Sequence, residues 1–190
     1  MEYLLELDRG LFNLLNGILR ADWLDAVAPY LRTPETWIPL YLFLIVFIIY
    51  RLRKLGFLIV LVAGMTVGLA DYTSSSIVKP TVERLRPCKD PIVNQYAVLL
   101  ISCGSGYSFT SSHATNHFCL AVFLLLVCGN IFGRWRWLLL AWAALVAYAQ
   151  IYVGVHFPLD ILGGALLGSG LAWLGSRLVA FLARRYLQTE

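Results

Sequence analysis

Two histidines stand where a strongly apolar chain would not ordinarily hold ionisable groups, and each sits among residues that could handle phosphate. His113 closes the run Thr110, Ser111, Ser112, His113 at the head of a long apolar stretch. Ser and Thr are good helix N-caps, and the free backbone N–H groups at a helix start attract an anion with the help of the helix dipole. A histidine there can give or take a proton, although the same residues also describe a simple cap with an interfacial imidazole. His156 lies in IYVGVHFPLDILGG, four residues before Asp160. Pro158 suits a first helical turn, and the i, i+4 spacing lets the carboxylate approach the ring, where it fixes the tautomer and stabilises charge during nucleophilic attack. An Asp beside a membrane helix is unfavourable without such a partner.

A third cluster, Lys79, Arg84 and Arg86 in KPTVERLRP, supplies cations. Arg presents a rigid fork matched to phosphate oxygens and Lys a compact charge. A juxtamembrane set of charges meeting anionic headgroups has the same composition.

The elements that must position these residues are set by hydropathy. The chain has 190 residues, 59% of them hydrophobic, and a mean hydropathy of +0.73, which makes a bilayer its natural solvent. Apolar stretches run over 37–50, 55–76, 116–132, 137–152 and 159–182, so the expected fold is all-α, a polytopic transmembrane bundle of about five spans. Gly64 and Gly68 in the second stretch, and Gly163, Gly164, Gly168 and Gly170 in the last, are of a size that permits close helix packing. Residues 3–17 are too polar to span and read as an amphipathic interfacial helix, making 1–35 an N-terminal interfacial segment of a single domain over 1–190. Acidic Glu2, Glu6 and Asp8 do not resemble the basic start of a signal peptide. Trp37, Trp135, Trp137 and Tyr152 fall at span ends, as an aromatic belt would.

Arg51, Arg53, Lys54, Arg134, Arg136, Arg184 and Arg185 collect on one side of a five-span arrangement, which the positive-inside rule makes cytoplasmic. Residues 80–112 then form an extracytoplasmic loop, and its own cations run against the rule, as an anionic substrate would explain. The net charge of +4 forms no stripe suited to nucleic acid. Cys119 and Cys128 lie inside an apolar run, whereas Cys88 and Cys103 flank the polar loop and are candidates for a disulfide if that loop is exported.

In order and spacing these segments resemble the type 2 phosphatidic acid phosphatase superfamily of membrane lipid phosphate phosphatases. Lys79, Arg86 and Pro87 meet its first motif, Lys, six residues, Arg-Pro. Thr110, Ser111, Ser112 and His113 stand for its Pro-Ser-Gly-His, and Ala149, Gln150, His156 and Asp160 for its Ser-Arg, five residues, His, three residues, Asp. The resemblance covers about residues 55–180.

It implies that His156 attacks phosphorus with Asp160 orienting the ring, and that His113 protonates the leaving oxygen and later activates water. Lys79, Arg86, Ser111, Ser112 and Gln150 would hold the phosphate, with no metal and no cofactor. Gln150 stands where the family has an arginine, and Arg84 is the expected source of the missing charge. The implied substrate is a bacterial membrane lipid phosphate such as undecaprenyl diphosphate, phosphatidylglycerophosphate, phosphatidic acid or a lipid A phosphate. The implied place is the cytoplasmic membrane, with the site on its outer face and a role in envelope synthesis. A lipid-phosphate binder or scaffold weakened in catalysis, or a vanadate-dependent peroxidase-like protein, are the alternative readings.

Overall fold

The computed structural model describes residues 2–186, and every regular element among them is helical. Helix α1, Glu2–Asn13, continues through a short π-helical turn and is followed by α2, Asp22–Leu31. Helix α3, Ile38–Tyr72, is broken at Arg53, whose φ of 53° and ψ of −123° lie outside the helical region. The two arms fold tightly against each other there. A Cβ on Gly56 would sit 2.4 Å from the carbonyl oxygen of Ile48, so only glycine fits the reversal. A π-helical stretch, Thr73–Val78, extends the second arm into α4, Lys79–Val82, which ends where Glu83 turns left-handed at φ 52°. After the polar segment come α5, Ser112–Phe132, α6, Trp137–Tyr152, and α7, Pro158–Tyr186.

Each of the five apolar stretches read from sequence therefore lies in a helical segment. By length and composition, two stretches among the described residues suffice to cross a bilayer, Ser112–Tyr152, which joins α5 to α6, and Pro158–Arg185. The core is shared by α3, α5, α6 and α7, with Ile59, Val62, Phe123, Ala143 and Ala172 buried together. Outward-facing side chains are also apolar, among them Phe57, Leu61, Met65, Leu166 and Trp173, as expected where hydrocarbon replaces water.

Helices α5 and α7 make the closest contact, and small residues allow it: a Cβ on Gly168 would fall 2.1 Å from the carbonyl of Thr115. Gly64 and Gly68, expected to serve the same purpose, would meet no atom within 4 Å if each carried a Cβ, and face open space instead. Tyr152 is likewise not part of a surface belt. It is fully buried, and its hydroxyl donates to Asp25 at 2.5 Å and contacts the backbone of Ala21.

The N-terminal segment is docked onto the bundle. Asn16 donates to the carbonyls of Val98 and Tyr152 at 2.9 and 2.8 Å and accepts from the amide of Val98 at 2.9 Å. Phe12 is buried against Phe157, with ring centroids 5.4 Å apart. Leu4, Leu7 and Leu11 remain exposed along α1, which keeps the apolar face expected of an interfacial helix.

Candidate active site

His156 and Asp160 flank the start of α7, where Pro158 opens the helix and the carboxylate folds back to accept the amide of Phe157 at 2.8 Å. The Asp160 Oδ2 lies 3.5 Å from His156 Nδ1, an ion-pair separation too long for a good hydrogen bond. Ser108 bridges the two. Its hydroxyl donates to Asp160 Oδ2 and stands 3.4 Å from His156 Nδ1. On the other side of the ring, Arg86 Nη1 approaches His156 Nε2 at 3.4 Å. A guanidinium only donates, so this contact requires an unprotonated Nε2 and assigns the ring proton to Nδ1. Burial, opposed by Asp160, pushes the His156 pKa down to about 4, which keeps the ring neutral near pH 7 and its Nε2 lone pair available.

Arg86 is held by the carbonyls of Val155 and Gly106 and lies over Gly104, where a Cβ would approach the guanidinium carbon to 3.5 Å. Lys79 has no carboxylate partner among the described residues, and burial together with the charge of Arg86 lowers its pKa to about 8. Ser111 caps α5, accepting the amide of Ala114 at 3.4 Å, while its own amide is tied to the carbonyl of Asp160 at 3.0 Å. Thr110 and Ser112 both meet the hydroxyl of Ser74, at 3.0 and 3.1 Å. Thus the start of α5, the start of α7 and the end of α3 are stitched together. Burial, followed by the charges of Arg32 and Lys79, lowers the pKa of His113 in the first turn of α5.

Below this polar end, a cavity of about 590 Å³ runs between the two arms of α3 and α5. Ser112 and His113 line it together with polar Asp71, Asn116 and His117, and Leu44, Ile48, Ile59 and Ala63 are among its many apolar walls. A polar end continuous with an apolar trough has the chemistry of an amphiphile site.

Residues 54–184 match the PAP2 superfamily. The chain belongs to that superfamily. A lipid A 4'-phosphatase of Bacteroides thetaiotaomicron is 31% identical over 180 residues, covering 92% of this chain and 77% of that protein. One from Porphyromonas gingivalis is 35% identical over 170 residues, covering 88% and 71%. The fold is similar to that of a transmembrane PAP2 type phosphatidylglycerolphosphate phosphatase from Bacillus subtilis, with a TM-score of 0.70 at 23% identity over 96% of this chain and 89% of that one.

Within this PAP2 chain, Arg86, His156 and Asp160 meet and the Ser111 amide joins them through the Asp160 carbonyl, but Arg84 does not join the cation cluster. Its guanidinium is paired with Asp8 and with Asp160 Oδ1, the latter at 2.7 Å, and covers the ring of Phe157 at 4.2 Å. Both charged edges are spent on carboxylates, so the expectation that Arg84 restores the charge absent at Gln150 is corrected. Gln150 is fully buried and bonds instead to Arg32, from Nε to Oε1 at 3.2 Å. His117 turns away from His156: Nδ1 donates to the carbonyl of His113 at 2.8 Å and Nε2 accepts from Tyr41 at 3.2 Å. Among the described residues no group of three or more His, Cys, Asp or Glu is arranged to hold a metal.

Cys88 and Cys103 are joined, with Cα atoms 6.0 Å apart, while Cys119 and Cys128 are buried and free. Four contributors were missed in the sequence: Asp8, Asn16, Arg32 and Ser108. Asp8 carried a weak signal as an acid on the apolar face of an amphipathic helix, and Ser108 carried none.

Proposed function

We propose that this chain is an integral-membrane lipid phosphatase that releases phosphate from a lipid headgroup through a phosphohistidine on His156. The observation that carries the reading is the continuity of the His113 end with the apolar cavity, which suits a phosphate held at the interface with its lipid tail lying between helices.

His156 Nε2 attacks phosphorus in line with the lipid oxygen. The N–P bond forms, the P–O bond breaks, and His113 delivers a proton to the departing oxygen. Asp160, acting directly and through Ser108, stabilises the positive ring that results. Water then attacks phosphorus with His113 as base, the N–P bond breaks, and phosphate leaves. Arg86, Lys79 and the amide of Ser112 at the start of α5 balance the charge on the phosphoryl oxygens, and none of these steps calls on a metal or cofactor.

Lipid A phosphate is the substrate class favoured by the two relatives matched over most of their length. The accompanying topology is five spans in a bacterial cytoplasmic membrane, with residues 80–112 and the site outside. A disulfide between Cys88 and Cys103 agrees with that side, because such bonds persist in oxidising compartments.

The test is phosphate release by detergent-purified protein from a panel of lipid phosphates with long and short tails, with EDTA in a parallel series. Release should survive EDTA. Gly64 borders the cavity and has free space around it, so Gly64→Leu should raise KM for long-tailed substrates and leave a short-tailed one nearly unchanged. Failure of wild-type protein to release phosphate from any member of the panel rejects the reading.

A further inference from the structure

Gln150 is a buried side chain with half of its polarity unanswered. Its Oε1 accepts from Arg32, but its Nε2 is buried without a hydrogen-bond partner. A buried amide donor left unpaired is unfavourable by itself and calls for an acceptor such as water or a bound anion. Arg32 beside it makes its side-chain bond through Nε, which leaves the two terminal nitrogens of the fork, and no carboxylate pairs with it among the described residues. The unpaired Nε2 of Gln150 thus belongs to a side chain bonded to a guanidinium that no carboxylate pairs among the described residues.

Other cations stand nearby. The charge of Arg86, after burial, is a cause that lowers Arg32 from the ordinary arginine range, and the charge of Arg32 also reaches His113. Like charges gathered in a half-buried place are held there at a disadvantage that a bound anion removes. Pro34, two residues beyond Arg32, lines the same cavity as His113.

The position of Arg32 is fixed from several sides. It follows α2, where the Thr33 hydroxyl donates to the carbonyl of Pro29 at 2.7 Å and the Trp37 indole to that of Leu31 at 2.7 Å. Behind it, α2 is anchored by Asp25 on the buried hydroxyl of Tyr152.

We propose that Arg32, brought in from the N-terminal segment, binds the substrate phosphoryl group together with the Nε2 of Gln150, and so supplies the charge that the arginine-containing form of the third motif carries at position 150. The inference rests on the phosphatase reading above, but it concerns anion binding and can be tested without turnover. The geometry differs from a motif arginine: the fork enters from the turn that follows α2 and is aligned by the amide, so the phosphate site is incomplete without residues 22–37.

The experiment measures binding of inorganic vanadate to detergent-purified protein by calorimetry, alongside phosphate release, for wild type, Arg32→Lys, Arg32→Gln and the double variant Arg32→Gln/Gln150→Arg. Arg32→Gln should weaken vanadate binding about tenfold or more and lower kcat/KM on the order of a hundredfold, the usual loss for one aimed donor to a charged oxygen. Arg32→Lys keeps the charge without the fork and should fall between. The double variant should recover most of the vanadate affinity, because it returns the guanidinium from the other partner.

A purely structural tie between Arg32 and Gln150 would give a different pattern, in which thermal stability falls, vanadate affinity of the folded fraction is unchanged, and Gln150→Arg brings no recovery. That pattern overturns the proposal, as does wild-type vanadate affinity in Arg32→Gln. If Arg32→Gln is too unstable to purify, the Arg32→Lys and double variants decide: the affinities expected above uphold the proposal, and an unchanged Arg32→Lys with no vanadate binding by the double variant rejects it. Vanadate binding that depends on Arg32 in a protein that hydrolyses no lipid phosphate would leave the anion site standing and reject only the phosphatase reading.

Discussion

Replacing Arg84 by Met should damage stability far more than anion binding, because Arg84 sits between two carboxylates that are themselves out of water. The side chains of Asp8 and Asp160 are 1% and 0% exposed, and Arg84 is 17% exposed. Removing the shared cation leaves Asp160 with Ser108, His156 and the amide of Phe157, and Asp8 with the amide of Leu159. Breaking a buried pair from one side typically destabilises by about 3–5 kcal/mol. At about 2–4 °C per kcal/mol for a chain of this length, the apparent Tm should drop by of order 10 °C.

The geometry also predicts a coupling. Asp8→Asn keeps an acceptor for the amide of Leu159 but removes one negative charge, so adding it to Arg84→Met should recover part of the lost stability. Thermal unfolding in detergent of wild type, both single variants and the double variant measures that term, and vanadate titration of the same samples tests the cradle. The expected result is a double variant more stable than Arg84→Met, with vanadate affinity within a few-fold of wild type in all four. Strict additivity of the two changes, or a loss of vanadate affinity in Arg84→Met as large as that in Arg86→Met, would refute the reasoning and return Arg84 to the phosphate.

Three further outcomes are expected. His156→Ala should abolish turnover and covalent phosphoryl trapping, whereas His113→Ala should slow departure of poor leaving groups by roughly a hundredfold or more; near-normal release from both variants contradicts the assignment. Lys79 is held at about 8 in the fold against an ordinary 10.5, so it is charged below pH 8 and loses its proton as pH rises through that value. On this basis kcat/KM, which reports the free enzyme, should decline above about pH 8, and Lys79→Arg should move that limb upward; a limb unmoved by the substitution assigns it to another group. The same shift implies that the Lys79 contribution to folding is least favourable below pH 8, where the fold must keep a buried ammonium, and that the penalty fades between pH 8 and 10.5. Non-reducing peptide mapping should recover Cys88 linked to Cys103, and Cys88→Ser should lower stability by about 2–4 kcal/mol; four free thiols in protein purified without reductant reject the bond.

The sequence by itself determined the parts that depend on neighbours along the chain. Apolar stretches long enough for hydrocarbon, the Pro158 start and the His156 to Asp160 spacing are local patterns, and helix geometry converts them directly into place. The order of three cation, hydroxyl and histidine clusters was also legible, because each occupies the end of an element.

Only tertiary structure decided which charge meets which. Arg84 and Arg86 are two residues apart and chemically identical, yet one is drawn to Asp8, 76 positions away, and the other to His156. Arg32 reaches Gln150 across 118 positions. Gly68 and Gly168 look alike in sequence, but a glycine matters only where a backbone lies opposite, and that holds for Gly168 alone of the two. Tyr152 stands at the end of an apolar run as a belt residue would, and it is buried because Asp25 and the N-terminal segment cover it. In each case the pattern along the chain sets what a side chain is able to do, while the Coulomb and packing terms that select its partner act through space, over separations along the chain that no local period encodes.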